Sequence, residues 1–111
     1  FFDFFEDKHF LYVVMQLCTG GEVFQKILEV RTFDEKDVIR IVKEMLQAVE
    51  FIHSCSIVHR DIKAENFLFE TKEPDSSLKM IDFGMAVKIR PGQYLHDLCG
   101  SPHYLAPELI G

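Results

Sequence analysis

The stretch HRDIKAEN, residues 59–66, decides which fold this chain adopts. It places an aspartate, a lysine and an asparagine at fixed offsets, at Asp61, Lys63 and Asn66. From one short loop these side chains can orient a hydroxyl, contact a transferring phosphoryl group and offer a neutral oxygen to a metal ion. Downstream, Asp82 of the string Asp-Phe-Gly adds an anionic oxygen, which hard divalent cations prefer as a ligand.

Upstream of this loop the sequence predicts a hairpin followed by a short helix. Phe1 to Phe5 and the run from His9 to Leu17, rich in aromatic and β-branched residues, are predicted strands, the second largely buried. The polar residues 6–8 form the predicted turn between them. Two glycines end the second strand, and Glu22 to Val30 is predicted to be helical.

A longer helix is predicted to begin after Asp34 and to reach about Ser54. Asp34 is the predicted N-cap, and Glu35 and Asp37 add favourable negative charge to the first turn. Apolar residues then recur at spacings of three and four, as in a helix with one buried face. They are Val38, Val42, Met45, Val49 and Ile52. Ile39, Ile41 and Leu46 widen this stripe, which predicts burial on more than one side.

Beyond the loop the sequence predicts short strands and long connections. The predicted strands are Ile57-Val58, Phe67 to Phe69 and Leu78 to Ile81, and the polar run ETKEPDSS at 70–77 is the predicted hairpin loop between the last two. Residues 82–108 have little periodicity. A loop of that length in a compact domain is usually functional or disordered.

Composition limits the classes of function. The chain has 111 residues, 48% of them hydrophobic, and a formal charge of −6. Net acidity argues against nucleic acid as a partner, although an ordinary solvated surface gives the same charge. No apolar run approaches the roughly 20 residues that span a bilayer, and no secretory signal is visible. Three widely spaced cysteines fit a reducing compartment. These features predict a cytoplasmic location, with the nucleus left open.

Ala106-Pro107-Glu108 completes, in order, the signature strings of protein kinases. The chain therefore resembles a eukaryotic serine/threonine protein kinase. CTGGEVF, ENFLF and PGQYLHDLCGSPHYLAPE resemble calcium-dependent protein kinases and the wider calcium/calmodulin-regulated group, although Ala64 stands where proline is frequent. The resemblance implies part of a two-lobed α+β fold. Residues 1–17 would end the small lobe and form the hinge strand, and 18–111 would begin the mainly helical C-terminal lobe.

The resemblance also implies roles for individual residues. Asp61 would be the catalytic base or orienting group and Lys63 the phosphate contact, with Asn66 and Asp82 as Mg²⁺ ligands. The residues implied to bind ATP are Met15, Gln16, Cys18, Glu22, Glu65, Asn66, Leu68 and Asp82. For Met15 and Leu68 ordinary core filling is an open alternative.

Three further residues are predicted to organise the long loop. The resemblance implies that Ser101 hydrogen-bonds the catalytic aspartate and lysine. By the resemblance, Asp97 stands where many relatives carry a phosphorylatable threonine, which predicts that Asp97 pairs with Arg60 and orders the loop without phosphorylation. The alternative for Asp97 is a solvent-exposed acid with no such role. His59 is expected to be structural, packing near Phe83.

The implied reaction is phosphorylation of protein serine or threonine by ATP with Mg²⁺, regulated by a calcium-sensing module elsewhere in a longer parent chain. A glycine-rich phosphate loop and a strand lysine are not in the sequence. This predicts that the 111-residue piece by itself is inactive and aggregation-prone. One alternative is a pseudokinase or truncated interaction module. Another is a small-molecule kinase of related fold, against which the segment 101–108, similar to a peptide-substrate pocket, argues.

Overall fold

A computed structural model describes residues 1–29 and 34–110 of the chain. The strands are β1 (Asp3–Glu6), β2 (Leu11–Val14), β3 (Ile57–Val58), β4 (Phe67–Phe69), β5 (Leu78–Met80) and β6 (Val87–Lys88). The helices are α1 (Val23–Glu29) and α2 (Glu35–Ser54). Short 3₁₀ turns lie at Ala64–Asn66, Phe83–Met85, Pro102–Tyr104 and Pro107–Leu109.

The strands pair into three antiparallel ribbons, β1 with β2, β3 with β6 and β4 with β5. In the β4–β5 ribbon Phe67 lies opposite Met80 and Phe69 opposite Leu78, which confirms the predicted hairpin around residues 70–77. The β3–β6 ribbon joins the strand before the loop 59–66 to the segment after Asp82. Mixed helices and short strands in this order are consistent with the predicted partial kinase-like α+β fold.

The first hairpin is shorter and more exposed than the sequence predicts. The Asp7 carboxylate accepts hydrogen bonds from the backbone N–H of His9 at 2.7 Å and of Phe10 at 2.8 Å. These bonds hold the two residues in the turn, and β2 therefore begins at Leu11. The prediction that this strand is largely buried is wrong, because side chains of β2 are 41–62% exposed. No helix in the described part of the chain packs over them.

The long helix begins where the sequence predicts. Asp34 is the N-cap, and its carboxylate accepts a hydrogen bond from the backbone N–H of Lys36 at 3.2 Å. The helix ends at Ser54, as predicted. The short helix α1 also matches its prediction, except that Val30 lies outside the described residues.

A small core forms where α1, α2 and β4 meet. Its buried residues are Val23, Ile41, Phe67 and Phe69. The prediction that α2 is buried on more than one side is wrong, because Ile39 is 58% and Leu46 63% exposed. The accessible surface of 8944 Å² exceeds the roughly 6,300 Å² of a compact protein of this mass. The described fold therefore leaves much apolar surface uncovered.

The segment before α1 runs alongside β4 and brings the predicted hinge residues 15–18 near Glu70, just beyond the end of β4 that lies away from the loop 59–66. The backbone N–H of Gly20 donates to the Phe69 carbonyl at 3.1 Å, and the N–H of Phe69 donates to the Gly21 carbonyl at 2.9 Å. A Cβ on Gly20 would overlap the side chain of Phe69. Glycine is required there because two backbones approach closely.

Candidate active site

Buried contacts of His59 hold the start of the loop 59–66. Its Nε2 lies 3.0 Å from the Ile81 carbonyl oxygen, and its Nδ1 lies 3.3 Å from the backbone nitrogen of Asp61. Because a carbonyl oxygen can only accept a hydrogen bond, Nε2 is the donor, and Nδ1 accepts from the Asp61 N–H. The ring meets that of Phe83 edge to face, with centroids 4.9 Å apart. His59 thus packs near Phe83 as expected and ties the loop to the segment that carries Asp82.

Asp61, Lys63 and Ser101 form a closed triangle of hydrogen bonds. Lys63 Nζ lies 2.7 Å from Asp61 Oδ2 and donates to Ser101 Oγ at 2.8 Å. The Ser101 hydroxyl and backbone N–H donate to Asp61 Oδ1 at 2.8 and 2.9 Å. Asp61 is buried. The structure therefore brings together three residues that the sequence places in two separate segments.

The triangle fixes the charges of its members. The hydrogen bond from Lys63, and after it the one from Ser101, lowers the pKa of Asp61 to about 2. The same bond to Asp61 raises the pKa of Lys63. At neutral pH the loop therefore presents a carboxylate and an ammonium in direct contact.

Asn66 continues the network on the other side of Asp61. Its buried Nδ2 donates to the Asp61 backbone carbonyl at 2.8 Å and to Asp61 Oδ2 at 3.3 Å. Both partners are acceptors, which determines how the amide is oriented. The Asn66 side-chain oxygen accepts no hydrogen bond from any described residue, and it remains as a neutral oxygen donor.

Asp82 lies close to Asn66, although 16 positions separate them in sequence. The backbone N–H of Ile81 donates to the Asn66 carbonyl at 2.9 Å. Asp82 has a left-handed backbone, with φ 61° and ψ 67°, and its carboxylate accepts from the N–H of Gly84 at 3.3 Å. The negative charge of Asp82 contributes to the raised pKa of Lys63, which places both groups in one electrostatic environment.

This donor set fits a divalent cation that retains much of its water. Within residues 1–29 and 34–110, no group of three or more His, Cys, Asp and Glu side chains is arranged to hold a metal ion by itself. Asn66 and Asp82 offer one amide oxygen and one carboxylate. Mg²⁺ is usually bound in this way, by one or two carboxylates together with waters and phosphate oxygens.

The predicted hinge residues lie on an open part of the surface. Met15 is 64% exposed, and the side-chain amide of Gln16 donates to the Glu70 carboxylate. Cys18 is a free, partly buried thiol. Among the described residues, no backbone hydrogen bond engages the Gln16 carbonyl or the Cys18 N–H. Those groups are therefore available to a ligand.

Of the other residues predicted to bind ATP, Glu22 and Leu68 are neighbours, whereas Glu65 contacts Tyr104. Glu22 and Leu68 form an antiparallel backbone bridge. Glu65 instead accepts a hydrogen bond from the Tyr104 hydroxyl at 3.1 Å, which raises the pKa of Tyr104. Sequence reasoning missed Tyr104 as a site residue. The sequence feature that could have indicated Tyr104 is its position inside the string CGSPHYLAPE, which also contains Ser101.

Arg60 and Asp97 lie close enough to interact. Arg60 Nη1 is 3.7 Å from Asp97 Oδ2, and Arg60 Nε donates to the Met85 carbonyl at 2.6 Å. Asp97 is also solvent-exposed, at 85%, and such a pair contributes at most about 1 kcal/mol. The backbone of Gly100 lies close to that of Arg60, since a Cβ at position 100 would be 2.8 Å from the Arg60 carbonyl oxygen. The regulatory role of this pair stays a prediction.

The fold and the site together define an α+β domain built around a loop of the kind that positions a phosphoryl group. The family model described as "Protein kinase domain" matches residues 1–111, and the chain belongs to the protein kinase family.

Curated relatives of this chain include calcium-dependent protein kinases. Calcium-dependent protein kinases 11 and 4 of Arabidopsis thaliana are each 45% identical over 96% of this chain and 21% of the relative. Calcium-dependent protein kinase 5 of Oryza sativa subsp. japonica is 43% identical over 96% of this chain and 19% of the relative. The chain thus spans about a fifth of the length of the curated relatives it matches. No described helix has the length and apolar character needed to cross a membrane.

Proposed function

We propose that this chain is the central part of an ATP-dependent protein serine/threonine kinase, which transfers the γ-phosphoryl group of Mg-ATP to a protein hydroxyl. The observation that carries the proposal is the triangle of Asp61, Lys63 and Ser101 beside Asn66 and Asp82. Phosphoryl transfer depends on positioning and charge neutralisation, and this site supplies both.

Asp61 orients the substrate hydroxyl and is a weak base. A carboxylate with a pKa of about 2 holds a proton poorly at neutral pH, so its first role is to accept the hydroxyl's hydrogen bond. Its two oxygens already accept four hydrogen bonds from side chains and backbone. The bond from Asn66 is the longest of them, at 3.3 Å, and the substrate hydroxyl replaces that bond at Oδ2.

Lys63 brings positive charge to the transferring group. Its ammonium is held by contacts with Asp61 and Ser101, and its position is therefore fixed before the substrate binds. Asn66 and Asp82 would hold Mg²⁺, which when bound neutralises charge on the phosphate oxygens. A preorganised cation costs little reorganisation during the reaction.

The adenine and ribose lie along the hinge in this proposal. The free backbone groups of Gln16 and Cys18 bond the adenine edge, Met15 and Leu68 enclose the ring, and Glu22 reaches the ribose hydroxyls. The proximity of Glu22 to Leu68 supports this arrangement. Glu65 would help to hold the nucleotide from the turn that carries Asn66.

Two features support a serine or threonine substrate and calcium control. Ser101 keeps a hydroxyl beside Asp61 and Lys63, the arrangement that the sequence resemblance links to Ser/Thr rather than Tyr substrates. The three relatives described above are named calcium-dependent, and we propose that a calcium-sensing module elsewhere in the parent chain regulates this one. A cytoplasmic location remains part of the proposal.

Transfer of labelled phosphate from ATP to serine, threonine and tyrosine peptides by the full-length protein tests this function. We expect serine or threonine labelling, and a loss of about 10²–10⁴-fold in Asp61→Asn with ATP binding retained. Asp75→Asn, at an exposed position of the 70–77 loop, is the matched control and should leave the rate unchanged. Nucleotide binding without turnover in the unaltered protein would instead indicate a non-catalytic pseudokinase.

A further inference from the structure

Two side chains one turn apart on α2 hold the closed end of the β4–β5 hairpin. Arg40 donates from Nη1 to the Ser76 carbonyl at 3.1 Å and from Nη2 to the Pro74 carbonyl at 2.9 Å. Glu44 Oε2 accepts from the backbone N–H of Leu78 at 2.8 Å. Arg40 Nη1 and Glu44 Oε1 are also paired, 3.2 Å apart. We call Arg40 and Glu44 the hairpin clamp.

The open end of the same hairpin carries the two proposed metal ligands. Asn66 immediately precedes β4, and Asp82 follows Met80, the last residue of β5, by two positions. Phe67 lies opposite Met80, and the next backbone bond joins Ile81 to Asn66. The distance between the two ligands therefore depends on the register of this hairpin.

The backbone bonds of such short strands give that register little support by themselves. Each strand has three residues, and a two-stranded ribbon is marginally stable in water. A slip of one residue moves a strand by about 3.3 Å and turns its side chains to the opposite face. Asp82 would then no longer lie beside Asn66.

The clamp contacts backbone groups at the point where this register is set. Glu44 holds the N–H of Leu78, the first residue of β5, and Arg40 holds two carbonyls of the turn before it. The side chains of Arg40 and Glu44 are 30% and 25% exposed, so water screens their pairing less than it would on an open surface. Leu78 and Met80 pack on the core, which joins this strand to α2.

We propose that Arg40 and Glu44 are positioning residues for the divalent-metal site, which they hold through the register of the β4–β5 hairpin. The proposal rests on the proposed function, because that function assigns the metal to Asn66 and Asp82. The clamp does not touch the metal. It acts by determining where β5 begins and hence where Asp82 lies.

Mn²⁺ affinity measured by electron paramagnetic resonance, on the full-length protein with ADP and without turnover, tests the proposal. We expect Glu44→Ala and Arg40→Ala to weaken Mn²⁺ binding by about tenfold, as for other residues that orient metal ligands. Glu44→Gln keeps an acceptor for the Leu78 N–H and should retain most of the affinity. Glu50→Ala and Lys43→Ala are matched controls at exposed positions of the same helix and should leave it unchanged, since neither side chain makes a hydrogen bond or an ion pair with any described residue.

Hydrogen exchange of the backbone amides gives a second readout that does not depend on the metal. We expect faster exchange at Leu78 and Ile81 in Glu44→Ala than in Glu50→Ala. Unchanged Mn²⁺ affinity in both clamp variants, with faster exchange at Leu78, would overturn the proposal, because the clamp would then be structural alone. Should Glu44→Ala fail to fold, Arg40→Lys provides the same comparison, and an affinity equal to that of Lys43→Ala overturns the proposal.

Asp82→Ala in the same assay separates this proposal from the function on which it rests. We expect Asp82→Ala to abolish Mn²⁺ binding. Retained binding would contradict the metal assignment itself. Lost binding in Asp82→Ala, with normal binding in the clamp variants, would contradict the positioning role alone.

Discussion

Replacing Ser101 with alanine removes a hydroxyl that bonds both Asp61 and Lys63. The backbone N–H at position 101 keeps its bond to Asp61 Oδ1 at 2.9 Å, and Lys63 keeps its direct contact with Asp61 at 2.7 Å. Two hydrogen bonds to charged groups are therefore lost, those of the hydroxyl with Asp61 and with Lys63, and each contributes about 1.5–3 kcal/mol. If the energy of only one of them is lost from the transition state, kcat falls by about 10- to 150-fold, and that is the smallest effect we expect.

Steady-state phosphorylation of a serine peptide at saturating ATP measures the effect. We expect kcat to fall in Ser101→Ala while KM for ATP stays constant, because Ser101 lies away from the proposed adenine contacts. Ser101→Thr keeps the hydroxyl and is the control, with kcat close to that of the unaltered protein. A kcat for Ser101→Ala within twofold of that protein, at equal melting temperature, would refute the reasoning. Equal losses in the alanine and threonine variants would show that the hydroxyl is not responsible.

Three further predictions concern the loop 59–66 and residues that approach it. Gly100→Ala places a Cβ 2.8 Å from the Arg60 carbonyl at a residue with φ 109°, and we expect a loss of about 1–3 kcal/mol in unfolding free energy by denaturant titration; an unchanged midpoint would contradict this. The depressed pKa of Asp61 adds stability that is complete above the unfolded value of 3.8 and is lost as pH falls through about 2. Melting temperatures of the unaltered protein and Asp61→Asn should therefore converge as the pH falls from 3.8 to about 2. A difference that stays constant over this range would contradict the prediction. Asp97→Ala in the full-length protein should lower kinase activity if the contact with Arg60 orders the loop, and unchanged activity would count against it.

Much of the element order was predictable, because short-range rules govern it. A carboxylate at Asp34 before an apolar repeat specifies a helix start through local hydrogen bonds, and α2 begins as predicted. The β4–β5 hairpin was predictable from a polar run between two apolar ones. Burial was predicted less well. Periodicity shows which side chains are apolar, but it does not show what covers them, and Ile39 and Leu46 are exposed although they extend the apolar stripe.

The sequence by itself determined the chemical inventory: an aspartate, a lysine and an asparagine in one loop, and a second aspartate downstream. Tertiary structure alone decided how these groups meet. Ser101 reaches Asp61 across 40 positions, and Arg40 reaches the hairpin turn across more than 30. Around Asp61 the backbone also adopts unusual conformations, including positive φ at Arg60 and Asp82. Residue propensities disfavour these conformations, and the packed structure around them holds them in place.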